Sequence, residues 1–200
     1  TGNVSISKTS GDSVLTVSGG EGANAEIAIY ADEGDDNADK WKFQSYTGGN
    51  FFLLNYTSGS WETSFKATGN GAVELYYDNT KEFETKSGGV KLNGHSESVV
   101  TALTSAASLT IDFSLSNHFS CTMGHNITFN NPTTESVGQS GTIVLTQDGT
   151  GNRTASWGSQ FLWAGGTAPT LSTAAAAVDR IDYFVAAADK IHCVASLGMA

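Results

Sequence analysis

SWETSFKAT, Ser60 to Thr68, alternates without a break: Trp61, Thr63, Phe65 and Ala67 fall on one face, and Glu62, Ser64, Lys66 and Thr68 on the other. A period of two is the mark of a strand in a sheet with one wet side. The same reading extends outward to AEIAIYA (25–31), WKFQSY (41–46), NFFLLNY (50–56) and AVELYYD (72–78). Gly, Asn and Asp interrupt these runs every 8–12 residues or so, as short antiparallel strands and their turns require. Phe51 to Leu54 and Leu75 to Tyr77 are apolar on both faces. A small unit with such strands cannot hide both sides within one subunit, so a homo-oligomer is predicted.

Composition agrees with an all-β fold. Hydrophobic residues make up 39% of the 200 and charged ones only 15%, with Gly, Thr, Ser and Asn abundant and runs of helix formers scarce. Two halves, each with its own core, fit this length. Acidic residues outnumber basic ones 20 to 10, a net charge of −10 that gives phosphate binding the wrong sign. Nucleic acid is therefore not an expected partner. No apolar run approaches the eighteen or so residues of a membrane helix, so no membrane insertion is expected. The chain opens at Thr1 without initiator Met or leader-like residues, which reads as the ordered part of a longer protein, with a removed leader as the alternative.

Beyond the first β unit, HSESVVTALTSAAS (95–108) reads as a connector with room for a helical turn or two. A second β unit follows, with strands at LTIDFSL (109–115), HFSCTM (118–123), NITFN (126–130), TIVLTQ (142–147), FLW (161–163), RIDYFVA (180–186) and KIHCVASL (190–197). Long polar loops are expected at Asn130 to Gly141 and Asp148 to Gln160. Cys121 and Cys193 both fall on apolar faces of alternating strands and read as buried free thiols, with a disulfide as the alternative. No CxxC suggests zinc.

Between two of the strands lies ADEGDDNADKWKF (31–43), with five carboxylates in eight positions. An EF-hand would need a later Gly and a closing bidentate Glu. Asp35, Asp36 and Asn37 suit a hairpin loop, because their side chains bond their own backbone and tolerate positive φ. The stretch reads as a turn; its alternative is a Ca²⁺ site among Asp32, Asp35, Asp36 and Asp39.

That stretch, with Asn55 to Gly94 after it, resembles the repeated β module in distal tail-fibre proteins of tailed bacteriophages, marine phages especially. The order carrying the likeness is acidic turn, Trp-Lys, Gly-x-Trp-Glu, Gly-Asn-Gly-Ala-Val-Glu-Leu-Tyr and Gly-Val-x-x-x-Gly. Independently, NITFNNP (126–132), the run from Gly141 to Thr173 and AVDRIDYFVA (177–186) resemble the C-terminal tip domain of phage fibres, and CVASLGMA resembles a fibre C-terminus. The resemblance implies an elongated homotrimer of antiparallel β units ending in β-sandwich-like knobs. Its domains would be a fibre module at 1–94, a connector at 95–108 and a tip at 109–200. Gly158 stands in WGSQ where Pro is frequent in that group, which predicts a looser loop.

Candidate functional residues are few. Trp157 and Trp163, with Tyr183, have faces that could stack on sugars or serve as core anchors. Arg153 could take an acidic sugar or carboxylate, or pair with Asp148. Asn130, Asn131, Thr133, Thr134, Glu135 and Gln139 carry groups of the kind polyols need, or are solvated loop. The ligand-binding set selected is Asn131, Glu135, Arg153 and Trp157. His118 and His125 form no HxH pair, so no metal ligation is assigned to them. The sequons at Asn3, Asn55, Asn126 and Asn152 are chance matches in an Asn- and Thr-rich chain. No GxSxG, HExxH or P-loop occurs, so neither an enzyme nor a cofactor is expected.

The function expected is that of a virion fibre protein, extracellular when working, that binds a bacterial surface glycan or protein through a trimeric C-terminal tip. Other virion proteins are its expected partners on the N-terminal side. The alternatives are a purely structural head or neck fibre or decoration protein, and a bacterial surface adhesin or filament subunit.

Overall fold

The computed structural model describes Ser7 and residues 10–199, so the Asn3 sequon lies outside the described residues. Two compact units divide the chain, Thr1–Ser96 and Glu97–Ala200. Among the described residues there is no α-helix, only single 3-10 turns at Asp32–Gly34, Asn37–Asp39 and Ala164–Gly166. The fold is all-β.

The first unit is one antiparallel meander. Its strands are β1 (Ala25–Tyr30), β2 (Lys40–Tyr46), β3 (Asn50–Asn55), β4 (Glu62–Thr68), β5 (Val73–Tyr77), β6 (Thr80–Lys86) and β7 (Gly89–Leu92), paired in that order. Register aligns one residue from each strand into an unbroken apolar row: Ile27, Phe43, Leu53, Phe65, Leu75, Phe83 and Leu92. Directly opposed residues of an antiparallel pair share a face. The neighbouring row therefore falls on the opposite face, and it reads Glu26, Gln44, Phe52, Lys66, Glu74, Glu84 and Lys91.

The register corrects the uninterrupted alternation of Ser60 to Thr68. Leu53 pairs with Phe65 but Leu54 with Thr63, so Ser64 is an extra residue in a β-bulge. The bulge reverses the phase: Phe65 and Ala67 stay on the apolar row's face, while Thr63 joins Leu54 on the charged one. Trp61 follows, lying under the Lys42 ammonium at 4.6 Å. A second bulge, at Glu82, lets Tyr76 and Lys81 pair on the charged face. Strands β6 and β7 were not among the strands read from the sequence.

The second unit has two sheets around one core. One contains β8 (Val100–Ala102), β10 (His118–Met123), β12 (Ser140–Gln147), β14 (Phe161–Trp163), β15 (Val178–Ala187) and β16 (Lys190–Met199), in the order β14-β16-β15-β12-β10-β8. The other contains β9 (Ser108–Leu109), β11 (Ile127–Phe129) and β13 (Ala155–Trp157), in the order β13-β11-β9. Alternate residues of both enter the core, among them Phe119, Cys121, Ile143, Ile181 and Ile191 from the larger sheet and Ile127 and Phe129 from the smaller. Phe129 stacks on Trp157 at 4.4 Å, and Trp157 meets Phe161 and Trp163 edge to face. These rings bridge the two edge strands β13 and β14.

Residues 95–108 are not a helical connector. Val100 to Ala102 pair in parallel with β10, Ser108 and Leu109 pair with β11, and the unit boundary falls at Ser96/Glu97. Extended β-branched residues at Val100 and Thr101 gain a sheet partner there, which one isolated helical turn could not match. Similarly, only the first residue of LTIDFSL is in a strand, although Ile111 and Phe113 still point into the core. The expected loop at Asp148 to Gln160 contains β13.

Candidate functional site

Topology separates the loops of the second unit into two ends. At the start of β12, Gln139 donates to the Phe113 and Ser116 carbonyls and to Asn117 Oδ1, while Val185 N–H donates to the Gln139 carbonyl. The same end holds Gly158 to Gln160, because Ile191, opposite Val185, donates its N–H to the Gln160 carbonyl. At the far end of β12, Gln147 donates to the Arg153 and Ser172 carbonyls and accepts from Arg153 N–H. Asn131, Glu135 and Trp157 therefore gather at one end and Arg153 at the other. The extended chain from Arg153 to Gly158 spans roughly 16 Å at about 3.3 Å per residue. The selected set does not form one site.

Arg153, Asn131 and Trp157 each have work inside the fold. Arg153 grips Asp148 Oδ2 through Nε at 3.0 Å and a terminal nitrogen at 2.6 Å. That guanidinium holds the Asp148 carboxyl below the usual carboxylate range, helped by the Gly151 and Thr150 N–H groups. Asn131 accepts from Gln160 N–H and donates to Ser159, both at 3.0 Å. The loop at Gly158 is tied rather than loose: its N–H donates to the Phe129 carbonyl at 2.7 Å, and a Cβ there would meet Asn131 Oδ1 at 2.2 Å. Proline would lose that bond and add that clash. Trp157 is a half-buried core anchor. Glu135 keeps one carboxylate oxygen, Oε2, enclosed without a hydrogen-bond partner.

Other polar groups picked out in the Asn130 to Gly141 loop are also spent on structure. Asn130 donates to Ser108 and Thr110, and Thr134 accepts from Phe113 N–H. What stays open at this end is a hydroxyl-lined groove of about 720 Å³ between Ser98, Ser114, Ser116, Thr134 and Ser136. Beside the tryptophans is a cleft of about 340 Å³ whose lining includes Trp157, Ser159 and Trp163. The indole N–H groups of both tryptophans lack a hydrogen-bond acceptor. At the opposite end, Arg153, Pro169 and Thr173 border a cleft of about 230 Å³.

Nothing in the sequence pattern singled out Asp179. Fully buried at the start of β15, it accepts from Ser172 N–H at 2.8 Å and Gly198 N–H at 2.9 Å. Tyr183, expected as a possible sugar platform, is buried and donates to the Asn117 carbonyl; burial pushes its hydroxyl up to about 12. Both cysteines are free and buried, and burial raises the Cys121 thiol and pushes Cys193 up to about 12. His125 meets Ser105 Oγ through Nδ1 at 3.2 Å.

In the first unit the acidic stretch forms the β1–β2 hairpin loop. Its ends close through Ala31 N–H to the Asp39 carbonyl, and Asp32, Glu33 and Gly34 take positive φ. Asp35, Asp36 and Asp39 have carboxylate oxygens within 4.8 Å of one another, whereas Asp32 is not part of that group. Across the sheet's charged face, Glu74 accepts from Lys81 at 2.9 Å and Tyr76 at 2.8 Å and pairs with Lys66 at 3.1 Å. Lys81, Tyr76 and Lys66 hold its carboxyl down to about 2. Lys81 and Lys86 likewise lower Glu84.

A meander with a charge-paired face, followed by a two-sheet unit whose loops brace their own turns, defines an all-β protein of two sheet units. Residues 94–183 match the family described as "Putative phage tail fibre C-terminal domain", a span covering the second unit as far as Tyr183 in β15. The match supports a phage tail-fibre protein with a C-terminal domain of that kind, and such a domain implies a virion-associated location. No curated protein and no solved structure matches it. Among the described residues no helix is long and apolar enough to cross a membrane.

Proposed function

We propose that this chain is the distal part of a virion fibre, a homotrimer that attaches to a bacterial surface glycan or protein through its C-terminal unit. The proposed role is binding, without catalysis and without a cofactor, and other virion proteins join it on the N-terminal side. The observation that carries the reading is the coincidence of the tail-fibre C-terminal match with the two-sheet unit. A rigid sheet pair with loops at both ends suits receptor contact, because loops can vary while strands keep the fold. Three weak contacts on one tip gain through effective concentration, so shallow clefts suffice.

A purely structural fibre or decoration protein is the second reading. It is favoured by the internal commitments of Arg153, Asn131 and Trp157.

The experiment treats the two ends of the unit separately. Arg153→Ala at one end and Asn131→Ala with Glu135→Ala at the other are compared with the parent for adsorption to host cells and for melting temperature. Loss of adsorption from one set, with melting largely retained, identifies the binding end. Unchanged adsorption in both sets, with folded protein, refutes receptor contact through these loops. Asn131→Ala carries its own cost of about 1 kcal/mol, because it releases the Gln160 N–H.

A further inference from the structure

We infer that the apolar face of the first unit's sheet is the surface on which copies of this chain meet, and that the charged face looks outward. This rests on the homotrimer proposed above and assigns its interface.

The two faces of this sheet differ in kind. On the charged face the Lys42 ammonium lies over the Trp61 ring, and acids and bases stand closely enough to satisfy one another. Lys42 bonds Glu26 at 2.9 Å, Lys66 and Lys81 both reach Glu74, and Lys81 and Lys86 both reach Glu84. Lys42, Leu54, Glu74 and Glu84 are buried by this mosaic within a single chain. The face needs no further cover.

The apolar face has no such cover. The row from Ile27 to Leu92 contains no ionisable side chain and crosses all seven strands, about 29 Å at a spacing of about 4.8 Å. Ile27, Phe43, Phe51, Leu75, Val90 and Leu92 are 37–64% exposed, and Ile29 and Trp41 stand beside them at 53% and 38%. That leaves open the equivalent of more than three whole side chains, roughly 700 Å² at about 200 Å² apiece. Such an area exceeds the patches of about 300–600 Å² on ordinary monomers and approaches the share of about 800 Å² per partner in a standard interface. The described residues of the preceding segment do not fill it. Leu15 and Val17 reach only the corner at Ala25, Ile27, Phe43 and Phe51, and they stay 65% and 42% exposed.

A second copy is the occupant that suits this face. A row of uncharged, similar-sized side chains needs no complementary charge, so the same row on another copy packs against it rung by rung, and symmetry repeats that contact around the ring. A charged or polar partner would leave its own groups unpaired against seven apolar rungs.

The test uses the full chain in sedimentation velocity at micromolar concentration. The parent is expected to sediment as a trimer. Leu75→Glu, at a position half exposed in the protomer, is expected to weaken association on the order of 100-fold or more and shift the chain to monomer while retaining its β circular dichroism. Lys91→Gln on the opposite face is expected to remain trimeric. In case Leu75→Glu misfolds, Leu75→Cys and Lys91→Cys provide a second readout. Maleimide is expected to label Cys at position 75 at least tenfold more slowly than at 91, with Cys121 and Cys193 buried in both.

A trimeric parent whose Leu75→Glu variant associates equally well, or equal labelling at the two positions, overturns the interface and leaves the homotrimer standing. A monomeric parent overturns both.

Discussion

Replacing Asp179 should loosen the second unit at two places distant in sequence. Where β15 meets β16, Val178 pairs with Met199 and Arg180 with Ser196, so Leu197 and Gly198 together face Asp179. Gly198 has φ +64, a left-handed conformation that suits glycine in a bulge. The bulge turns Gly198 N–H towards the Asp179 carboxylate, whose other oxygen takes the Ser172 N–H from the preceding loop. Asp179→Ala orphans both donors. A buried donor left unpaired costs about 1–3 kcal/mol, and Gly198 is exposed enough to find water, so a total of about 2–3 kcal/mol is expected. With a urea dependence of about 2 kcal/mol per molar, the midpoint should fall by about 1–1.5 M at fixed protein concentration. Asp179→Asn keeps one accepting oxygen and should lose about half as much. Urea unfolding followed by the fluorescence of Trp157 and Trp163, in a background where Trp41 and Trp61 are Phe, measures the shift. Hydrogen exchange should speed at the Ser172 and Gly198 amides in particular. An unchanged midpoint with both amides still protected would refute the role given to this carboxylate.

Two further outcomes concern the first unit. Glu74 ionises at about 2 in the folded chain against an ordinary 4.5, because Lys81, then Tyr76 and Lys66, favour its charged form. Its contribution is therefore present in full above about pH 4.5 and is lost as pH falls towards 2. The difference in urea midpoint between the parent and Glu74→Gln should be largest above pH 4.5 and vanish near pH 2; a difference independent of pH would contradict the charge-pairing account. For the acidic hairpin at 31–43, the turn reading predicts that chelator leaves the melting temperature unchanged. A large drop would instead establish a structural Ca²⁺ site at Asp35, Asp36 and Asp39.

Local pattern determined much of this protein by itself. Alternation across Glu26 to Tyr30, Lys40 to Tyr46 and His118 to Met123 requires strands, because a period of two can bury only one side of an extended chain. Gly, Asn and Asp between them require turns, and the acidic stretch is a hairpin loop for that reason. Alternation also put Cys121 and Cys193 inside. Tertiary structure alone decided the rest. The bulge at Ser64 moved Trp61 away from Phe65's face, a phase change set by pairing with β3 and invisible in β4 alone. Val100 and Ser108 became strands only because β10 and β11 offered them partners. Arg153 and Asn131 lie close in sequence to the same β units, yet the direction of β12 and β13 carries them to opposite ends. Finally, strands apolar on both sides left open which face the chain covers by itself. Register decided that by gathering lysines and glutamates from six of the seven strands on one face, where they pair with one another, and leaving the row from Ile27 to Leu92 bare on the other.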